Sequence, residues 1–189
     1  MEFKKRNIKI YIISGKAHSG KDTIAKYIIN KLNHKKVITL TYASYLKMYA
    51  ANILGWDGSE DTKPRDFLQN IGVELIKNQI DDKFLINRII EDIKVYSYFY
   101  DVVIIGDARF PDEIENIKSN FNNVTVIRID RDNNNLTNEQ QNHSTEVSLD
   151  NYNGYDYVVD NSKDLDSLYK ELDKILEVSY ESSNWWTSW

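Results

Sequence analysis

The run Gly15-Lys16-Ala17-His18-Ser19-Gly20-Lys21-Asp22-Thr23 carries the most readable chemistry in this chain. Two glycines with four residues between them, followed at once by lysine, give the spacing G-x-x-x-x-G-K. Gly15 and Gly20 permit the backbone angles that turn successive N–H groups inward around an anion. A helix opening near Gly20 adds its positive dipole end. Lys21 then reaches the β- and γ-phosphates of a nucleoside triphosphate, and Thr23 can donate to the α-phosphate. Lys16, Ala17, His18 and Ser19 complete the ring of amides. Asp22 departs from the serine or threonine that usually ligates Mg²⁺ at this place. An aspartate there can hold the metal directly or through water.

Such a loop needs a strand before it and a helix after it, and both are legible. Ile8 to Ser14 is apolar and β-branched, and Ile24, Ile28 and Leu32 follow at helical spacing. Val37 to Tyr42 reads as a second strand, and Tyr45 to Leu54 as a helix stopped near Gly55. Gly58 to Pro64 is a polar loop. Asp66 to Ile76 and Phe84 to Lys94 read as amphipathic helices, with Asp81-Asp82 a start signal for the second. Val102 to Ile105 is a continuous apolar run ahead of Gly106-Asp107, the mark of a strand buried on both faces. Asp112 to Ser119 reads as a helix, Val124 to Ile129 and Tyr157 to Val159 as strands, and Leu165 to Val178 as a closing helix. Alternating strands and helices predict an α/β, three-layer αβα fold with a central parallel sheet in one domain over 1–189. Arg131 to Asn142 is polar and aperiodic, and reads as a lid-like loop that continues to about residue 146.

Composition narrows the function classes. The chain has no cysteine, so disulfides, thiolate metal sites and cysteine nucleophiles are excluded. Its three histidines make no zinc-site spacing. A net charge of −5 argues against a protein that holds long nucleic acid by its phosphates. The first apolar run is too short for a membrane span and no cleavage pattern follows it, which suits a cytoplasmic protein without membrane partners. An N-K-x-D guanine-reading motif is absent. The segment 179–189 holds three of the four tryptophans. It reads as a cap on an apolar groove of the same chain or, alternatively, as a subunit contact in a homodimer.

Several segments, taken in order, resemble the P-loop deoxynucleoside monophosphate kinases of the type found in phages. The loop Gly15 to Thr23 is similar to that family's G-K-x-x-S-G-K-D-T, including the aspartate. Tyr42-Ala43-Ser44-Tyr45-Leu46-Lys47 is similar to its F-A-D-x-L-K segment, and Trp56 with Lys63 to Glu74 resembles its R-x-L-L-Q-x-x-G-x-E block. Asp107-Ala108-Arg109-Phe110-Pro111-Asp112-Glu113 matches D-x-R-F-x-x-E. His143 to Glu146 and Asp156 to Asn161 resemble its tail elements. The likeness runs from about Ile8 to Leu172, with Ser44 in place of an aspartate and Lys77 where an arginine is often found. Animal phosphomevalonate kinases resemble the chain in the first loop and a D-x-R segment.

The resemblance implies a P-loop NTPase fold of the nucleoside monophosphate kinase kind, with a helical acceptor-binding region at about 45–100. It implies ATP as co-substrate, Mg²⁺ as cofactor and small-molecule nucleotides as partners. Transfer between two phosphates is mostly position and charge, so a ring of cations is the requirement. Lys21, Lys47, Arg65, Arg109 and Arg131 are the candidates, Arg131 as a lid arginine. Arg65 beside Pro64 can grip the acceptor phosphate in bidentate fashion. Gln69 and Glu74, on the same helix, can read a base or a sugar hydroxyl, and Tyr42 and Tyr45 stand near the acceptor. Asp107 follows a buried strand, where a carboxylate meets Mg²⁺ and the phosphates, and Arg109 shares its crevice. Asn161 joins the nucleotide-binding set. Arg128 reads as a paired strand residue and His143 as a low-weight substrate contact.

Overall fold

The structure is a computed structural model that describes residues 2–131 and 147–184. Strand β1 (Lys9–Ser14) leads through the glycine loop into α1 (Lys21–Lys31), and β2 (Val37–Leu40) leads into α2 (Tyr42–Leu54). After the polar loop come α3 (Arg65–Asn70), its π-helical continuation Ile71–Ile80, and α4 (Phe84–Tyr96). Then follow β3 (Val102–Ala108), α5 (Pro111–Asn120), β4 (Val124–Asp130), β5 (Tyr157–Asp160) and α6 (Leu165–Asn184).

The strands form one sheet in the order β2-β3-β1-β4-β5. Every pairing is parallel. Successive side chains of a strand point to opposite faces, so an unbroken apolar run must be covered twice. Strand β1 shows this directly. Ile10 and Ile12 enter a core with α4 (Ile86, Ile89, Ile93) and α5 (Ile114, Ile117). Tyr11 and Ile13 enter another with α1 (Ile24, Ile28) and α6 (Leu168, Leu172). This is the predicted αβα arrangement. Because β1 lies between β3 and β4, the loops after these strands meet at one edge of the sheet, the crevice where open α/β folds bind ligands.

Three elements differ from the reading of the sequence. Strand β2 stops at Leu40, and Tyr42 opens α2 instead of closing the strand. The cause is tertiary: Asp107 of β3 accepts the N–H groups of Tyr42 and Ala43, both at 2.9 Å, and so caps that helix from another element. Next, the helix expected to end at Ile76 runs on to Ile80 with i→i+5 winding. Last, the closing helix continues beyond Val178 to Asn184. Asp81 does act before α4, where its carboxylate accepts the Lys83 N–H at 2.9 Å. Among the described residues no helix is long and apolar enough to cross a membrane.

At the opposite edge of the sheet, β1 begins with a buried charge. Lys9 is 8% exposed and donates to Thr125 Oγ1 at 2.7 Å. Burial lowers its pKa to about 8, against a smaller opposing pull from Asp156. The folded value lies below the unfolded one. Between them the unfolded chain holds a proton that the folded chain has released, so stability rises with pH across that window. Lys9→Met removes the titration. Urea unfolding of both proteins from pH 7 to 11 is expected to show the wild type gaining about 1–2 kcal/mol on the variant between pH 8 and 10.5. A difference that does not change with pH would refute this.

Candidate active site

The loop between β1 and α1 is held from below. Gly15 has φ +148°, and a Cβ there would lie 2.5 Å from the Ile129 carbonyl and 2.7 Å from Ser19 Oγ. Gly20 has φ +101°, and a Cβ there would lie 2.4 Å from Asn161 Nδ2. Both positions therefore require glycine for angle and for space. His18 also takes a left-handed angle, φ 60°. Asn161, buried at the end of β5, donates through Nδ2 to the Ser19 carbonyl at 2.7 Å. Its own N–H reaches the Asp130 carbonyl at 2.7 Å. Asn161 thus stands under the loop as its support, through the backbone of Ser19.

Gly20 is the N-cap of α1 and offers no side chain of its own to that end. The first amides of α1 are therefore oriented toward the loop with the dipole behind them. Lys21 lies across the loop and donates to the carbonyls of Gly15 and Lys16, each at 2.7 Å. Asp22 and Thr23 are exposed on the first turn. Lys16 reaches outward to Asp150 at 3.0 Å. Asp150 also lies 3.7 Å from Arg128. As expected, Arg128 is a paired residue: it bonds Asp130 at 2.6 Å and the Leu149 carbonyl at 2.8 Å.

Strand β3 delivers the facing groups. Burial pushes the Asp107 carboxyl upward, while the Ala43 and Tyr42 N–H groups and the charges of Arg109 and Lys21 pull it down. Burial prevails and the carboxyl stays above its ordinary value, with Arg109 from the same strand end and Lys21 from the start of α1 both acting on it. Arg109 and the loop residues Gly15 and Lys16 line one cleft, closed on its far side by Arg128, Leu149 and Asp150. Sequence reasoning passed over the role of Glu113. Its Oε2 accepts the N–H groups of Arg109 at 2.6 Å and Phe110 at 3.1 Å. Burial raises its pKa to about 8 against those two donors, and Asp107 adds to the rise. Pro111 at the first helical position with Glu113 two residues on is the start-of-helix signal that could have found it.

The helical region holds the remaining candidates. Lys47 on α2 is half-buried, and Arg65 opens α3 as expected, with its side chain 73% exposed. Gln69 and Glu74 are exposed, and Asn78 donates to Glu74 at 3.3 Å. In an α-helix, residues five apart stand about 140° apart around the axis. The i→i+5 winding narrows that angle and brings Glu74 toward the Arg65–Gln69 face. Lys77 ties this segment to the Asp107–Glu113 turn, 3.3 Å from Asp112 and 3.7 Å from the centre of the Phe110 ring.

One expectation is corrected. Tyr42 is 4% exposed, sits in the core, and aims its hydroxyl at the Glu113 carbonyl at 3.3 Å. Its side chain is part of the packing under α2 and does not face an acceptor. Tyr45 donates to Asp92, with Arg88 5.5 Å from the centre of its ring. Arg131 is exposed just after β4. The remainder of the predicted lid, His143 and the tryptophans at 185–189 lie outside the described residues.

Among the described residues no group of three or more histidine, aspartate or glutamate side chains gathers to hold a metal. One or two carboxylates beside a triphosphate cradle nevertheless fit Mg²⁺, which keeps several waters and is usually bound jointly with substrate phosphates. Asp107 and Asp22 are the residues that would meet it.

Comparisons with known proteins bear on the family and the fold. The family model described as deoxynucleotide monophosphate kinase matches residues 38–172. No curated protein sequence matches the chain. Among solved structures, the APS kinase of Mycobacterium tuberculosis is 12% identical at a TM-score of 0.53, over 91% of this chain and 99% of that one. Shikimate kinase from Bacteroides thetaiotaomicron is 16% identical at 0.53, over 90% and 98%. The protein TT1252 of Thermus thermophilus is 13% identical at 0.54, over 92% and 98%. At these identities the likeness establishes the fold, the α/β P-loop NTPase fold.

The support under the loop is testable. Asn161→Ala leaves the Ser19 carbonyl without its partner and is expected to cost about 1–3 kcal/mol in urea unfolding. The same variant should bind ATP more weakly in calorimetric titration, because the loop amides lose their brace. Unaltered stability and unaltered ATP affinity would together reject the bracing role.

Proposed function

The chain belongs to the deoxynucleotide monophosphate kinase family, and from that premise we propose that it transfers the γ-phosphoryl group of ATP to a deoxynucleoside monophosphate. The products are ADP and the deoxynucleoside diphosphate. The observation that carries the reading is the loop itself: Gly15 and Gly20 at positions only glycine fits, Lys21 lying across it onto the Gly15 and Lys16 carbonyls, and the glycine-capped start of α1 behind it. It supports a site for one anion in the loop.

In this reading the amides from Gly15 to Thr23 bind the triphosphate tail, and Lys21 moves from its carbonyl partners to the β- and γ-phosphates. Arg109, its backbone fixed by Glu113, steadies the charge on the transferring group. Arg131 closes over it from the end of β4. Lys47 and Arg65 receive the acceptor phosphate, while Gln69 and Glu74 meet the base or sugar. Mg²⁺, entering with ATP and met by Asp107 and Asp22, would supply charge neutralisation between the phosphates. An acceptor phosphate is already largely dianionic at neutral pH, so no strong general base is required. Closing the site against water limits wasteful hydrolysis.

A coupled ADP-release assay across deoxynucleoside and ribonucleoside monophosphates tests the reading. Turnover with at least one deoxynucleotide is expected. Turnover only with a non-nucleotide phosphate such as phosphomevalonate would replace the acceptor and keep the fold. Lys21→Ala should lower kcat/KM by about 100-fold or more, and near-normal turnover would contradict the mechanism. Arg65→Ala should raise the acceptor KM by about tenfold, a change of about 1.4 kcal/mol, and leave the ATP KM alone. Equal losses for both substrates would reject its role.

A further inference from the structure

The loop between α2 and α3 places a carboxylate among the cations assigned to the acceptor. Both oxygens of Glu60 accept from the Lys63 ammonium, at 2.8 and 2.9 Å. Arg65 Nη2 stands 3.9 Å from the second oxygen. Lys63, Lys47 and Arg65 all draw the Glu60 carboxyl downward, with the Lys63 hydrogen bond the largest effect. Two cations thus stand at one carboxylate, Lys63 in contact and Arg65 just outside it, with the charge of Lys47 adding to the field.

That anion fits the cluster poorly. Both of its oxygens accept from Lys63, while the Arg65 guanidinium stands at 3.9 Å, beyond hydrogen-bond distance. A phosphate monoester carries three terminal oxygens and nearly two charges at neutral pH. It can satisfy Lys63 and still present a pair of oxygens to the guanidinium fork. The burial pattern is graded in the same sense. The Lys63 side chain is 19% exposed and that of Glu60 is 64% exposed, so the cation lies inside and the carboxylate outside.

The loop itself is tethered mainly to its own residues. Asp57 accepts the Ser59 N–H at 2.9 Å and the Thr62 hydroxyl at 3.3 Å, and the Trp56 indole N–H reaches the Ser59 carbonyl at 3.1 Å. Gly55 and Gly58 sit at φ +69° and +88° with nothing within 4 Å of a Cβ at either position. Glu60 can swing outward without disturbing the core.

We propose that Lys63 is a third arm of the acceptor-phosphate cradle, beside Lys47 and Arg65, and that Glu60 is a built-in competitor that the arriving phosphate displaces. This rests on the reading of Lys47 and Arg65 as acceptor-binding residues. Glu60 then sets a threshold: an anion must offer more charge and more oxygens than a carboxylate to enter. It also keeps the cations paired and in place between turnovers.

Steady-state kinetics with the best deoxynucleotide of the acceptor panel tests it, with inorganic phosphate as competitor. Glu60→Gln removes the charge and keeps the shape. It should lower the acceptor KM and the phosphate inhibition constant by roughly two- to fivefold, the range of an exposed ion pair. Lys63→Ala should raise both by about tenfold, Lys63→Arg should restore most of the loss, and the ATP KM should be unmoved throughout. If Glu60→Gln and Lys63→Ala leave the acceptor KM where it was, or move the ATP KM equally, the competitor role is wrong while the kinase reading stands. If the wild type turns over no deoxynucleotide, that reading fails and takes the competitor with it.

Discussion

Asp107 makes the bond on which the two halves of this molecule depend. It leaves the sheet at the end of β3, within reach of the phosphate loop, and spends its carboxylate on the first two amides of α2. A carboxylate at a helix N-terminus is stabilised by the orphan N–H groups and by the dipole behind them. The same group thus fixes where the helical region begins and lies in the field of Lys21 and Arg109. Were it drawn away from α2, the helices that carry Lys47 and Arg65 would lose their registration with the loop. Its burial raises the energy of the charged form, and the surrounding donors and cations offset only part of that cost.

Around this bond the structure alternates supports with working groups. Asn161 braces the loop through Ser19, and Glu113 braces Arg109 through its backbone N–H. Lys77 links the π-helical segment to Phe110 and Asp112, so the helical region and the Arg109 turn are tied a second time. Each support restricts the position of another group, and for phosphoryl transfer, which is dominated by position and charge, that restriction is most of what a protein can supply. The π-helical winding belongs to the same scheme, since such segments are uncommon and often lie at functional sites.

Where sequence reasoning was right and where it missed follow from one distinction. The strands and most helices could be placed because burial imposes a period on the chain, and the loop because glycine is demanded by geometry at Gly15 and Gly20. Tyr42 was misread because its neighbours in sequence extend an apolar run, whereas the capping carboxylate comes from a residue 65 positions away. Glu113 was quoted as part of a motif without a role, since nothing local says that its oxygen folds back onto Arg109. Lys63 and Glu60 lie in the stretch Gly58 to Pro64, which the sequence marks only as a polar loop. Only their distances show that one holds the other.

The amino-acid sequence by itself determined the alternation of strands and helices, the phosphate loop and the supply of cationic side chains. Those depend on periodicity, backbone freedom and residue chemistry, which are properties of short segments. Tertiary structure alone decided that β1 lies between β3 and β4, that Asp107 caps α2, and that Asn161 supports Ser19. These are contacts between residues far apart in the chain, each made where two elements are packed into place by burial of their apolar faces. A local pattern carries no record of which distant partner will stand opposite it.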